Sequence, residues 1–153
     1  MFTRESLLQA GDSRAVLLSI KPKYSSLIVS GEKRVEFRRK WAAGKVGLIA
    51  VYASAPVQRI VALVNVEEVV LAPPRELKNH CVDRGGALTP TELMKYFAGN
   101  GYGYAVLLGR VRKLERPIDP RHLFRGFSAP QSFRYLSLAE VRRLEQAAKS
   151  ELS

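Results

Sequence analysis

The 153-residue chain has few of the residues that build disulfides or metal sites, with one cysteine and two histidines. A single cysteine, Cys81, excludes a disulfide within the chain, and such scarcity is typical of proteins in a reducing compartment. His80 and Cys81 are adjacent, which is not a metal-ligand spacing, and no second pair completes a site. The sequence therefore predicts no metal, no cofactor and a cytoplasmic location.

Long hydrophobic runs are also missing. No stretch approaches the ~20 apolar residues that a membrane helix needs, and residues 1–14 lack the apolar run of a signal peptide. The basic residues do not form one long amphipathic helix, which argues against binding at a membrane surface. We therefore expect a globular protein with no membrane partner.

Acidic residues are the third shortage, because 14 Asp and Glu face 25 Lys and Arg, giving a net charge of +11. Residues 21–40 carry seven basic and two acidic residues, and residues 105–143 carry nine basic and three acidic residues. Residues 45–100, with six basic and five acidic residues, are nearly neutral. A basic balance favours an anionic partner. Two basic blocks would form one patch if the fold joined them; the alternative is a generic solubilising surface.

The hydrophobic pattern predicts an α+β fold with a small, mostly antiparallel β-barrel and peripheral helices. Long strands with only local helices argue against a doubly wound parallel sheet. A flexible segment over residues 1–14 is expected to precede a single domain over residues 15–153. Met94 and Leu138 are expected to face the core from their helices. The predicted elements are strands over 15–20, 33–38, 46–53, 59–71 and 103–113, and helices over 22–30, 75–82, 90–98 and 137–152.

The stretch from Lys33 to Arg38 alternates as a half-buried strand with one charged face. With the preceding helix, it should bring Lys21, Lys33, Glu36 and Arg38 near one another. Lys and Arg bind phosphate or stack on bases, and Glu36 pairs with them or accepts hydrogen bonds from a base. The alternative is a salt-bridge ladder on the surface. Several aromatic residues interleave with the basic ones along the chain. They would either stack on bases or pack in the core: Tyr52, Tyr102, Tyr104, Phe127, Phe133 and Tyr135.

At this stretch the sequence resembles a known family. Lys21-Pro22 and the run Gly31-Glu32-Lys33-Arg34-Val35-Glu36-Phe37-Arg38 are similar to the signature of ASCH domains, which belong to the PUA-like superfamily. The similarity continues in Val51–Pro56, Tyr96–Gly99, Gly103–Val106 and Pro130–Tyr135, and together these cover most of residues 15–136.

The resemblance implies a PUA-like barrel whose cleft beside the first helix binds RNA, or a modified base in some relatives. It implies a role in RNA processing, translation or transcription-linked regulation, with RNA as partner and single-stranded DNA as an alternative. Protein partners are left unspecified. Carried over by position, the nucleic-acid-binding candidates are Lys21, Lys23, Lys33, Glu36, Arg38, Tyr52 and Ser54, with Gln131, Arg134 and Tyr135 closing the other side.

Two further functions stay open from the resemblance. Some members are amidohydrolases of acetylated cytidine, and ribonuclease activity is proposed for the family; if the protein is such a hydrolase, Lys33 and Glu36 are the catalytic candidates. Lys33 fits the amidohydrolase lysine, but Glu36 stands where those enzymes have threonine, and Arg84-Gly85-Gly86 offers no glutamate before Thr89. A regulatory domain that reads a small ligand or a protein is the other alternative.

Overall fold

The computed structural model describes residues 13–83 and 85–150. Most of the predicted N-terminal segment, Arg84 and the last residues of the predicted C-terminal helix lie outside the described residues, whereas Arg14 begins the first strand. The described chain contains strands β1 (Arg14–Ile20), β2 (Val35–Arg38), β3 (Val46–Ala53), β4 (Arg59–Ala72), β5 (Gly103–Ile118) and β6 (Phe133–Leu136), and helices α1 (Pro22–Ser30), α2 (Pro74–Leu77), α3 (Asn79–Asp83), α4 (Pro90–Tyr96) and α5 (Leu138–Ser150).

The six strands form one mixed sheet in the order β2-β5-β4-β3-β1-β6. All neighbours are antiparallel except β1 and β3, which run parallel with Leu17 opposite Ala50. The predicted α+β class and mostly antiparallel sheet are confirmed. Backbone pairing does not close the sheet, because β2 and β6 remain its edges, so the word barrel describes it only loosely.

The two edges nevertheless meet at one end of the sheet. Arg38, the last residue of β2, donates from Nη2 to the Ser19 carbonyl of β1 at 3.1 Å and from Nη1 to the Ser132 hydroxyl at 3.3 Å. Ser132 directly precedes β6, and its carbonyl accepts from the Ser19 backbone N–H at 2.9 Å. Side-chain contacts therefore join the strand edges at the place where β1 and β2 end.

The sheet is buried on both faces because its central strands are almost wholly apolar. In β3, seven of the eight residues are buried, as expected for a strand with packing on either side. Helix α5 covers one face through Val141, Leu144 and Ala148, and Ile28 of α1 packs on the other. A third cluster, which includes Leu93, lies around α2 and α4.

Several local predictions differ from the structure. Residues 75–82, predicted as one helix, form parts of the two short helices α2 and α3. Met94 is 43% exposed, because Leu93 and Phe97, one helical turn apart, are the residues of that segment that face the core. Leu138 is 48% exposed.

The first turn of α5 shows why Leu138 is not in the core. The Ser137 hydroxyl accepts from the Glu140 backbone N–H at 3.1 Å, and the Glu140 carboxylate accepts from the Ser137 N–H at 2.9 Å, which forms a capping box. Glu140 also pairs with Arg134 of β6 at 2.7 Å. The polar Glu140 side chain, rather than Leu138, therefore connects this turn to the sheet. Among the described residues, no helix is long and apolar enough to cross a membrane.

Candidate functional site

A cavity of about 630 Å³ opens where β1, β2 and β3 end. The strand ends contribute its floor, the first turn of α1 forms one wall, and the segments before α4 and before β6 complete its rim. The lining residues come from six separate parts of the chain: Ser19, Ile20, Lys21, Tyr24, Lys33, Glu36, Phe37, Arg38, Tyr52, Ser54, Ala55, Gln58, Gly86, Leu88, Tyr96, Ala129, Pro130 and Gln131.

Three charged side chains form the floor of this cavity. Glu36 contacts Lys33 Nζ through Oε1 at 3.0 Å and Arg38 Nη2 through Oε2 at 2.8 Å. Arg38 Nε donates to the same Oε2 at 2.9 Å, so the arginine binds side-on. The exposed fractions of the Lys33, Glu36 and Arg38 side chains are 4%, 10% and 14%. We call Lys33, Glu36 and Arg38 the floor triad. Lys33 and Glu36 are buried and Arg38 is partly buried, which excludes an exposed salt-bridge ladder on the surface.

Lys33 is held by more than its ion pair. Its ammonium also donates to the Val35 carbonyl and to the Gly86 carbonyl at 3.2 Å. An ammonium has three hydrogens, and these two carbonyls and Glu36 provide three acceptors. Lys33 therefore fastens the segment around Gly86 to the beginning of β2.

The segment around Gly86 fits closely against β2. The Arg34 N–H donates to the Gly85 carbonyl at 3.2 Å. A Cβ placed on Gly86 would lie 2.5 Å from the Phe37 ring, so only glycine allows this approach. The cavity wall thus depends on a contact between residues almost fifty positions apart.

Aromatic rings line the cavity above the floor triad. Tyr52 is buried at 3% exposure, and its ring centroid lies 5.6 Å from that of Phe127. Burial raises the pKa of Tyr52, while Arg121 and Arg59 lower it and Asp119 raises it. Tyr24 and Tyr96 line other parts of the wall. The arrangement offers apolar surface beside buried charge, which is the usual composition of a small-ligand site.

Of the ten residues predicted from sequence to bind nucleic acid, the structure brings seven to the cavity. The lining includes Lys21, Lys33, Glu36, Arg38, Tyr52, Ser54 and Gln131.

The remaining three predicted residues do not line the cavity. Lys23 is exposed on α1, with its ammonium 5.5 Å from the centroid of the neighbouring Tyr24 ring. Arg134 pairs with Glu140. The Tyr135 hydroxyl accepts from the Ala43 N–H at 2.8 Å and donates to its carbonyl at 3.2 Å. Arg134 and Tyr135 are separated from the cavity because β6 leads away from it after Gln131.

Sequence patterns alone did not single out several lining residues. Tyr24 was not among the predicted residues, and Phe37 and Tyr96 were noted only within family motifs. Gln58 has a left-handed backbone, with φ of 54°, which places it beside the end of β3. Leu88 and Pro130 reach the cavity only through long-range packing, which no local periodicity encodes.

The charged groups at the site do not resemble a metal centre. Among residues 13–83 and 85–150, no group of three or more His, Cys, Asp or Glu side chains is arranged to hold a metal ion. The arrangement instead offers a hydrogen-bond donor from Arg38, a carboxylate from Glu36 and aromatic rings. These groups match the edges and faces of a planar, polar ligand.

Comparisons with known proteins identify related chains. A family model described as the ASCH domain matches residues 18–147. An ASCH domain-containing ribonuclease from Zymomonas mobilis is 29% identical over 137 residues, which cover 87% of this chain and 91% of that protein. The crystal structure of ASCH from Zymomonas mobilis superposes with a TM-score of 0.79 at 28% identity, covering 87% of this chain and 94% of that one. A serine-to-alanine variant of that protein has a TM-score of 0.78 at 27% identity, covering 89% and 97%.

Proposed function

The chain belongs to the ASCH domain family, and we propose that it binds single-stranded RNA by taking one nucleotide into the cavity at the ends of β1, β2 and β3. The observation that carries the proposal is the buried floor triad beneath an open, aromatic-lined cavity of about 630 Å³. The name of the Zymomonas mobilis relative, a ribonuclease, supports RNA as the polymer.

The floor triad suits the edge of a base. A buried guanidinium and carboxylate form charge-assisted hydrogen bonds, which are stronger than neutral ones. Both residues line the cavity, where Arg38 Nη1 keeps one hydrogen beyond its bond to Ser132 and Glu36 Oε1 keeps one lone pair beyond its contact with Lys33. A base that bonds to these groups must leave any duplex, because its Watson–Crick edge is otherwise occupied. We therefore expect single strands to bind in preference to duplex RNA.

The aromatic wall suits the face of the same base. Tyr24, Tyr52 and Tyr96 all line the cavity, and stacking of a base on an aromatic ring contributes about 1–3 kcal/mol. Lys21 is exposed at the cavity's rim, where a flexible ammonium can meet a phosphate as a point charge. The base would then enter while its phosphate stays at the mouth.

Fluorescence anisotropy of a labelled ten-nucleotide single-stranded RNA tests this function. We expect binding that weakens steeply with salt because phosphate contacts release counterions, and competition by unlabelled nucleoside monophosphates. The Lys21→Glu variant should weaken binding by roughly ten-fold, whereas Lys45→Glu, at an exposed lysine that does not line the cavity, should have a much smaller effect. Absence of binding to any RNA or single-stranded DNA at low salt refutes the proposal.

A second candidate function is RNA cleavage, favoured by the ribonuclease relative that matches 87% of this chain. Lys33 and Glu36 are the catalytic candidates from sequence, yet Lys33 already donates to Val35, Gly86 and Glu36. We propose that the floor triad shapes the site, and that reacting groups belong to other side chains of the cavity lining, among them Lys21, Tyr52 and Ser54.

Cleavage is tested with end-labelled RNA on denaturing gels, with and without a chelator. Tyr52→Phe should slow cleavage if its hydroxyl acts, while the Lys45→Glu control, purified in the same way, should cleave at the wild-type rate. Equal cleavage by all proteins, including a Lys21→Glu/Tyr52→Phe double variant, would indicate a contaminating nuclease and reject this second function.

A further inference from the structure

A second cluster of charged residues lies just beyond the cavity wall. Asp119 directly follows β5, and its side chain is only 8% exposed. Its carboxylate accepts from the Arg121 backbone N–H at 3.0 Å, from Arg121 Nε at 3.0 Å and from Arg121 Nη2 at 2.7 Å. Arg59 Nη1 and His122 Nε2 lie 3.7 and 3.9 Å from the same carboxylate. One buried carboxylate thus organises two arginines and a histidine.

This cluster has more positive than negative charge, and the cations face solvent. The side chains of Arg59, Arg121 and His122 are 38%, 64% and 81% exposed. With Asp119 counted, the two arginines leave one unbalanced positive charge even when His122 is neutral. The pKa of the Asp119 carboxyl is held well below its usual range, and the hydrogen bonds from Arg121 are the largest cause.

The geometry of Arg121 leaves part of its guanidinium for a second anion. The Nε and Nη2 edge faces Asp119. A guanidinium is planar and carries five N–H donors, so the Nη1 group points away from that edge. An arginine fixed on one side by a carboxylate is oriented in advance, and arginine forks match the oxygens of a phosphate.

The cluster is connected to the cavity through β3 and β4. Tyr52, which lines the cavity, pairs with Ile60, and Ala53 pairs with Arg59. Arg59 Nη1 donates to the carbonyl of Gln58 at 2.9 Å, and Gln58 also lines the cavity. The charges of Arg121, Asp119 and Arg59 all act on the Tyr52 hydroxyl. The cluster therefore lies beside the Tyr52 and Gln58 wall.

We infer that Arg59 and Arg121, positioned by Asp119, bind the phosphate of a nucleotide next to the one held in the cavity. The inference rests on the proposed RNA-binding function. The inference gives the bound RNA strand a path. One base lies on the floor triad, and the RNA backbone passes Gln58 to reach Arg59 and Arg121. The ligand of this second subsite is a phosphodiester of the same RNA strand, because Arg59 and Arg121 adjoin the Tyr52 and Gln58 wall and present exposed guanidinium groups, which match phosphate oxygens.

The test compares ligands of different length on matched variants. Arg121→Gln removes the proposed phosphate contact but leaves the buried Asp119 carboxylate without Arg121. The double variant Asp119→Asn/Arg121→Gln removes the same contact and also removes that buried charge. Arg75→Gln is the control, since Arg75 is exposed on α2 and lines neither the cavity nor the cluster. Each protein is titrated with a ten-nucleotide RNA and with a nucleoside monophosphate, and thermal unfolding checks that each is folded.

We expect both Arg121 variants to bind the ten-nucleotide RNA roughly ten-fold more weakly, with the slope of log K against log salt shallower by about 0.7, as for one lost phosphate contact on a single strand. Binding of the nucleoside monophosphate should stay at the wild-type level. RNA binding equal to that of Arg75→Gln would overturn the second subsite while leaving the proposed function intact. Equal losses for both ligands would also overturn it, because the cluster would then act on the cavity itself. If the wild-type protein bound no RNA, the proposed function would fail and this inference with it.

Discussion

The Arg38 guanidinium donates to the Ser19 backbone carbonyl at 3.1 Å and so joins the edge strand β2 to β1, which has no backbone pairing with it. The same guanidinium holds Glu36. One side chain therefore both draws the open sheet together and sets the floor of the cavity. Fold stability and ligand binding are coupled at this residue.

Replacing Arg38 should destabilise the protein. Arg38→Ala would remove one of the two cations that neutralise the buried Glu36 carboxylate, and breaking a buried pair costs about 3–5 kcal/mol. Because Lys33 would still contact Glu36, we expect the lower part of that range. Urea denaturation measures the change, with Arg39→Ala as the exposed neighbour for comparison. A loss for Arg38→Ala no larger than for Arg39→Ala would show that the floor triad contributes little to stability.

The floor triad should also behave as one unit. Lys33→Met would leave the Gly86 and Val35 carbonyls without their donor and Glu36 with one cation fewer. Glu36→Leu in the wild type would leave both Lys33 and Arg38 without their carboxylate, whereas in the Lys33→Met background it leaves Arg38 alone, and each buried charge that loses its partner is destabilising. We therefore expect the double variant to lose less stability than the sum of the two single losses, by roughly 1–2 kcal/mol. Additive losses in a double-mutant cycle would contradict the coupling.

The sequence was sufficient for much of the fold, and the reasons are physical. Apolar runs encode local structure, and the strand predicted over 46–53 has its observed bounds. Whether a charged strand residue faces water is not a local property. The alternation of residues 33–38 placed Glu36 on a charged face and left a surface ladder open, and the depth of its burial comes from the packed segment around Gly86 and the approach of β1. Lys21, Lys33 and Arg38 converge because strand ends meet, whereas the outward course of β6 separates Arg134 from them.

Alkaline stability should report on Tyr52. Burial raises the pKa of Tyr52 in the folded protein, so the folded state favours the neutral phenol more than the unfolded state does. The corresponding stability is fully present below the ordinary tyrosine pKa of about 10 and is lost as the pH rises from there through the raised value. Unfolding free energies between pH 8 and 11, as approximate limits for this titration, should fall more steeply for the wild type than for Tyr52→Phe. Parallel curves would contradict a titration of Tyr52 that differs between the two states.

Acid stability should report on Asp119. Its pKa is lowered in the folded protein, chiefly by the Arg121 hydrogen bonds. The stability linked to Asp119 is therefore present above the unfolded aspartate pKa of about 3.9 and is lost as the pH falls through the lower folded value. The Asp119→Asn variant should lose less stability than the wild type between neutral pH and about pH 3. Thermal unfolding at the two pH values measures this, and an equal loss in both proteins would show that other carboxylates dominate.

Gly86 offers a test of how closely the cavity wall is packed. A Cβ at this position would lie 2.5 Å from the Phe37 ring and 3.3 Å from the Cys81 backbone, so Gly86→Ala must displace the ring or the segment. Overpacking of this kind costs about 1–3 kcal/mol. Gly101→Ala is the matched control, because its Cβ would meet nothing within 4 Å. Urea denaturation should show a lower free energy of unfolding for Gly86→Ala than for Gly101→Ala.

RNA binding tests the same contact. Because both Gly86 and Phe37 line the cavity, RNA affinity should fall for Gly86→Ala and stay unchanged for Gly101→Ala. If Gly86→Ala kept the wild-type stability and RNA affinity, the cavity wall would have adjusted at no measurable cost, and base binding would not depend on the shape of this wall.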